Sequence, residues 1–188
     1  MSKVRAAVFA SGTGSNFEAI MSDGDLPCEI SLLVCDKPKA AVIEKAKAFG
    51  VETFVFDAKQ YKQKADYEAE IVEALQKNNV EWIFLAGYMR LAGATILEAY
   101  EGKMINIHPS LLPAFPGIDA IGQAFNAGGA ETGVTVHYID EGMDTGPIIE
   151  QETVPILPND TKETLKKRIQ IVEHRLYPKV IRQILRDV

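Results

Sequence analysis

Apolar and polar positions along this chain fall into two regimes. In the first half, short apolar runs alternate with longer amphipathic stretches. Val4–Ala10, Cys28–Val34, Glu52–Phe56 and Glu81–Ala86 read as strands. The segments opening at Ser15–Ser22, Ala40–Phe49 and Lys62–Lys77 read as helices, and in the last of these Tyr67, Ile71 and Leu75 recur at helical spacing. Strands alternating with helices predict parallel βαβ units. The second half differs. Met104–His108 predicts a strand, and Pro109, Pro113 and Pro116 force a loop after it. Gly133–Ile139 and Pro147–Val154 predict two more strands. In the first of them, Val134, Val136 and Tyr138 alternate with Thr135, His137 and Ile139, as on a sheet with two distinct faces. From Thr161 a long helix carries the stripe Leu165, Ile169, Val172 and Leu176, and Pro178 is expected to kink it. The expected fold is α/β: one doubly wound, mostly parallel, Rossmann-like sheet with an antiparallel C-terminal part and a long C-terminal helix. With no repeat or linker in view, residues 1–188 read as one domain.

Composition narrows the function classes. The 188 residues are 47% hydrophobic and 24% charged, ordinary for a globular domain. No apolar run approaches the ~18 residues of a membrane span. The opening Met1–Arg5 passes straight into a strand pattern, so no signal peptide is expected. Cys28 and Cys35 fit neither a zinc pair nor a redox motif and read as buried thiols of a reducing, cytoplasmic protein. A net charge of −6 argues against a nucleic-acid partner. An anionic small molecule would have to be held by local donors, against the mean field.

Three segments carry candidate chemistry. Ser11-Gly12-Thr13-Gly14-Ser15-Asn16 follows the first strand and opens a helix. Glycines let backbone approach a ligand, and free N–H groups at a helix start suit phosphate. A dinucleotide fingerprint is a second reading, with Asp36 as the ribose-binding acid, but Phe17 occupies the third glycine position. A purely structural turn is the third. In Asn106-Ile107-His108-Pro109, strand alternation puts Asn106 and His108 on one face. An amide donor and an imidazole side by side suit acyl transfer, the amide for an oxyanion and the ring for a proton. A polar pair that merely ends a strand is the alternative. Finally, Asp140-Glu141-Gly142-Met143-Asp144-Thr145-Gly146-Pro147 is a turn-rich loop that suits ligand binding, and a carboxylate of it near His108 would favour the protonated ring; plain solvated loop charge is the alternative for each of Asp140, Glu141 and Asp144. Thr135 and His137 share a strand face, and His137 reads either as a satisfied structural histidine or as a support behind His108. His174 suggests a surface or capping role. No metal-ligand cluster is visible.

Together these segments resemble the folate-dependent formyltransferases, and specifically the phosphoribosylglycinamide formyltransferases of purine biosynthesis, from Val4 to about Leu185. The strongest match is Ile105-Asn106-Ile107-His108-Pro109-Ser110-Leu111-Leu112-Pro113 with Phe115-Pro116-Gly117. The glycine loop resembles the phosphate loop of the glycinamide branch. Relatives acting on initiator tRNA share Asn-x-His-Pro but lack this loop and are longer. The resemblance implies Asn106, His108 and Asp144 as the catalytic trio. Asn106 would steady the tetrahedral intermediate and His108 would donate the proton. Asp144 would favour the protonated ring and order a water. It implies Gly12, Thr13, Gly14, Ser15 and Asn16 around the substrate phosphate, with Gln170 and Glu173 near ribose and phosphate. Lys64, Met89, Arg90, Leu91, Ala92, Asp140 and Glu141, together with Asn106 and Asp144, would line the folate site, Met89–Ala92 largely through backbone groups. The co-substrates implied are 10-formyltetrahydrofolate and 5′-phosphoribosylglycinamide, with no metal. Residues 1–100 would form the phosphate-binding half and 101–188 the catalytic and folate-binding half. Two positions depart from the family pattern: Lys64 stands where arginine is common, and Asp119 where some members have histidine. Oligomeric state stays open, a homodimer included. A formyl-folate hydrolase is the nearest alternative; a dinucleotide-dependent oxidoreductase and a non-catalytic phosphosugar-binding domain are more remote.

Overall fold

The computed structural model describes residues 2–187. Seven strands form one sheet in the order β3-β2-β1-β4-β5-β6-β7. They are β1 (Val4–Ala10), β2 (Cys28–Cys35), β3 (Glu52–Val55), β4 (Trp82–Leu85), β5 (Met104–His108), β6 (Glu131–Tyr138) and β7 (Ile148–Pro155). β1 to β5 pair in parallel, and β6 and β7 join antiparallel. The helices are α1 (Ser15–Met21), α2 (Ala41–Ala48), α3 (Lys64–Lys77), α4 (Ala94–Ala99), α5 (Ala120–Ala127) and α6 (Lys162–Arg186).

Both faces of the parallel part are covered, which explains its continuous apolar runs. Ala6, Val8 and Ala10 pack with Phe17 and Ile20 of α1, Val42 of α2 and Leu165, Ile169 and Tyr177 of α6. Ala7 and Phe9 face Tyr67, Ile71 and Leu75 of α3 and Ile96 of α4. The same alternation divides β5: Ile105 and Ile107 join the first cluster, while Met104 joins the second. Asn106 and His108 therefore follow Met104 toward the α3–α4 side. Tyr177, wholly buried, ties α6 to the sheet by donating its hydroxyl to the carbonyl of Leu85 at 2.8 Å, with that of Ile105 at 3.2 Å.

Pro178 lies inside α6, which runs on to Arg186 with Tyr177, Val180, Ile181 and Leu185 buried around it. Two features differ from the sequence expectation. α4 and α5 lie where no helix is expected. α4 has six residues, too few for a periodic pattern, and α5 is started by Asp119, whose side chain accepts from the Gly122 N–H. His174 lies mid-helix, half-buried, with its Nε2 buried and unpartnered among the described residues, so it caps nothing. β7 is the sheet's outer strand on the C-terminal side, with Glu150 and Glu152 paired to Lys179 and Arg175 of α6.

Candidate active site

The carboxyl ends of β4 and β5 border a cleft of about 490 Å³, within the range of small-molecule sites. Asn106 and His108 lie on its floor, and Met89, Arg90, Leu91 and Ala92 form one wall. Asn16 and Glu173 form another, and Asp140 and Asp144 border it from the loop after β6.

Antiparallel pairing builds the floor. Asn106 stands opposite His137, and His108 opposite Thr135. Nδ1 of His137 is 2.8 Å from the Tyr138 carbonyl. A carbonyl only accepts, so this nitrogen carries the hydrogen. Burial holds the His137 pKa below its ordinary value, against the Tyr138 bond and Asp144, so the ring stays neutral. Nε2 is then a lone pair, 3.4 Å from the Asn106 amide nitrogen, which donates to it. That contact sets which way the amide faces. Thr135 works on the loop beyond His108: its hydroxyl donates to the Ser110 carbonyl at 2.7 Å and accepts from the Leu112 N–H at 3.1 Å.

Both ring nitrogens of His108 face acceptors. Nε2 donates to the Phe115 carbonyl at 2.9 Å. Nδ1 lies 3.6 Å from Asp144 Oδ2, close enough for charge to be felt and long for a direct bond. The same oxygen accepts the Gly117 N–H at 2.7 Å, and the other lies 3.8 Å from His137 Nε2. Asp144 adopts φ +57, a left-handed conformation that Asp tolerates better than most residues. One carboxylate thus joins the loop after β5 to the loop after β6. Asp140 shapes that second loop by accepting from the Gly142 N–H and the Thr145 hydroxyl, which hold its pKa low. Glu141 is exposed and does not border the cleft.

Of the glycine loop, Asn16 borders the cleft, while Gly12, Thr13, Gly14 and Ser15 lie beside it. Gly14 has φ +76, and a Cβ there would stand 2.4 Å from Val42 Cγ2, so packing on α2 demands glycine whatever the loop binds. Gly12 and Thr13 are exposed, Ser15 half-buried, and among the described residues no hydrogen bond engages the Thr13 or Ser15 hydroxyl. Asn16 donates to Glu173 Oε2 at 2.8 Å, while its own amide oxygen is buried and has no donor among the described residues. Burial pushes the Glu173 carboxyl pKa up, opposed by Asn16. Gln170, one turn before Glu173 on α6, is half-buried and stands back from the cleft.

Two residues lie elsewhere than the sequence suggests. Lys64, at the start of α3, donates to the Leu91 carbonyl at 2.8 Å from outside the cleft. Asp36 pairs inward with Arg90 and Ser11, leaving it no free oxygen for a ribose. Several contributors escape sequence reasoning. Phe115 and Gly117 act through backbone atoms, which side-chain chemistry cannot flag. Gln151 reaches from β7 to Thr135 and to the Leu112 carbonyl. Lys166 was missed as well, although it stands one turn before Gln170 on the same helix face. It borders the cleft together with Lys162, whose ammonium pairs with Asp119. Among the described residues no cluster of three or more His, Cys, Asp or Glu could hold a metal, and no helix is long and apolar enough to cross a membrane.

Comparison with known proteins agrees with this geometry. A family model described as formyl transferase matches residues 4–181. A phosphoribosylglycinamide formyltransferase of Bacillus subtilis is 59% identical over 95% of this chain and 93% of its own. The crystal structure of glycinamide ribonucleotide transformylase 1 from Geobacillus kaustophilus superposes with a TM-score of 0.95 at 60% identity, covering 97% of this chain and 99% of that one. The trifunctional purine biosynthetic protein adenosine-3 of Drosophila melanogaster is 38% identical over 96% of this chain, which spans only 14% of that longer protein. The chain therefore belongs to the formyl transferase family, in the group of phosphoribosylglycinamide formyltransferases.

Proposed function

We propose that this protein transfers the formyl group of 10-formyltetrahydrofolate to the glycinamide amine of 5′-phosphoribosylglycinamide. The products are formylglycinamide ribonucleotide and tetrahydrofolate, as a step of purine biosynthesis in the cytoplasm. The observation that carries the reading is the pairing of Asn106 and His108 on one face of β5, at the floor of a cleft that meets Met89–Ala92 on one side and Asn16–Glu173 on another. Residues 1–188 act as one domain. The sugar phosphate docks at Gly12–Asn16, and its hydroxyls meet Glu173 and the unpartnered Asn16 oxygen, with Gln170 behind them. The folate enters between Met89–Ala92 and Asp140–Asp144.

In the reaction, the neutral amine attacks the formyl carbon and a carbon–nitrogen bond forms. The carbonyl oxygen takes negative charge and is met by the free Asn106 N–H and by His108. The amine's proton passes, through the water Asp144 orders, to the folate nitrogen as the old carbon–nitrogen bond breaks. A preset donor aimed at such an oxyanion is worth about 3–4 kcal/mol. His137 acts by holding the Asn106 amide in its donating orientation.

The test is an ultraviolet assay of formyl-folate loss with and without phosphoribosylglycinamide. Loss only when the acceptor is present, with stoichiometric formylated product, is expected. Formate release without acceptor would instead assign a hydrolase. Nicotinamide dinucleotide binding, read by fluorescence, would favour an oxidoreductase.

A further inference from the structure

Asp36 immediately follows β2 and is buried. One oxygen accepts from the Ser11 hydroxyl at 2.5 Å, and the other accepts from Arg90 Nε at 2.8 Å. Ser11 opens the glycine loop and Arg90 lies in the Met89–Ala92 wall, so a single carboxylate touches both ligand-facing segments. Ser11 has one hydroxyl hydrogen and gives it to Asp36. Its oxygen therefore offers a lone pair to the Met89 N–H, at 2.9 Å. The Ser11 N–H in turn donates to the Gly87 carbonyl at 3.1 Å. The Arg90 guanidinium lies over the Tyr67 ring of α3, 5.8 Å from its centroid.

The Met89–Leu91 backbone needs such a tether. Met89 and Leu91 are 58% and 45% exposed, so their side chains contribute little burial to hold the segment down. We infer that Asp36 is a positioning residue for the formyl-folate: through Ser11 and Arg90 it fixes the backbone of Met89–Leu91 against the end of β1. The inference rests on the functional reading above for its ligand, while the tether itself stands on the contacts.

The test is Asp36→Asn in the full chain. The amide oxygen still accepts from Ser11, but the amide nitrogen faces Arg90 Nε, donor against donor, and Arg90 is released. The formyl-folate KM should rise about tenfold, with kcat and the sugar-phosphate KM within about twofold. Amide hydrogen exchange of the peptide spanning Met89–Leu91 should quicken about tenfold, with β5 peptides unchanged. Ser11→Ala leaves the Asp36–Arg90 pair intact but strips the Met89 N–H of its acceptor, so the same peptide should quicken even if Asp36→Asn folds poorly. Unchanged exchange at Met89–Leu91 in Ser11→Ala overturns the tether. An equal rise of both KM values in Asp36→Asn overturns the assignment to folate. Failure of the wild-type protein to transfer formyl would refute the functional reading instead, with the exchange measurement still reporting on the tether.

Discussion

Replacing Asp144 by Asn isolates the charge next to His108. The carboxylate oxygen and His108 Nδ1 are 3.6 Å apart. Coulomb's law at that separation gives about 5 kcal/mol at an effective dielectric constant near 20, and about 1 kcal/mol at that of water. The Asp144 side chain is 13% exposed and borders an open cleft, so the lower part of that interval applies, about 1–3 kcal/mol. If protonated His108 stabilises the transition state, kcat should fall about 5- to 150-fold. The fold should not suffer. Asn adopts the left-handed conformation of this position readily, and its amide oxygen can keep the 2.7 Å bond from the Gly117 N–H. The assay is steady-state formyl transfer beside a thermal melt of the same preparation. The sugar-phosphate KM should stay within about twofold, since Asp144 lies away from the Asn16–Glu173 wall. A kcat within about twofold of wild type, in a protein that melts normally, would refute the electrostatic role.

Three further outcomes follow from other contacts. Tyr177→Phe removes a buried hydroxyl shared by the Leu85 and Ile105 carbonyls; it should cost about 1–2 kcal/mol and lower the melting temperature by about 2–8 °C, as read by calorimetry. Gly133→Ala would put a Cβ 2.4 Å from both the Glu152 carbonyl and Leu111 Cδ2. It should cost about 1–3 kcal/mol by urea unfolding and lower activity too, because the displaced β6 carries Thr135 and His137. Burial holds the His137 pKa below its ordinary 6.5. As pH falls through that value the unfolded chain takes up a proton that the folded ring refuses. Stability is therefore lost on acidification until the folded pKa is passed, and His137→Gln should flatten urea midpoints compared between about pH 8 and pH 5.

The parallel half was legible because each of its strands but the outer β3 is largely buried on both faces and each helix but α4 carries a periodic stripe. The register of β5 was legible for a related reason: alternation alone puts Asn106 and His108 together. What alternation cannot supply is the neighbour. That β6 runs antiparallel beside β5, setting His137 against Asn106, depends on the chain reversing through α5, and α5 has few strongly apolar positions to announce it. Asp36 misleads for a similar reason. Its distance behind the glycine loop matches a ribose-binding acid, but Arg90, 54 positions away, captures it first. Lys64 sits near the folate wall in sequence logic and behind it in space, because α3 approaches Leu91 from outside. The backbone carbonyl of Phe115 and N–H of Gly117 have no side-chain signature at all.

The partnership of Asn16 with Glu173 spans 157 residues, and that of Asp23 with Arg182 spans 159. Closures of that reach cost loop entropy before any contact rewards them, so late formation in folding is the expected outcome. During refolding, native sheet signal should return before catalytic competence, and the lag between the two should time the docking of the final helix onto the first.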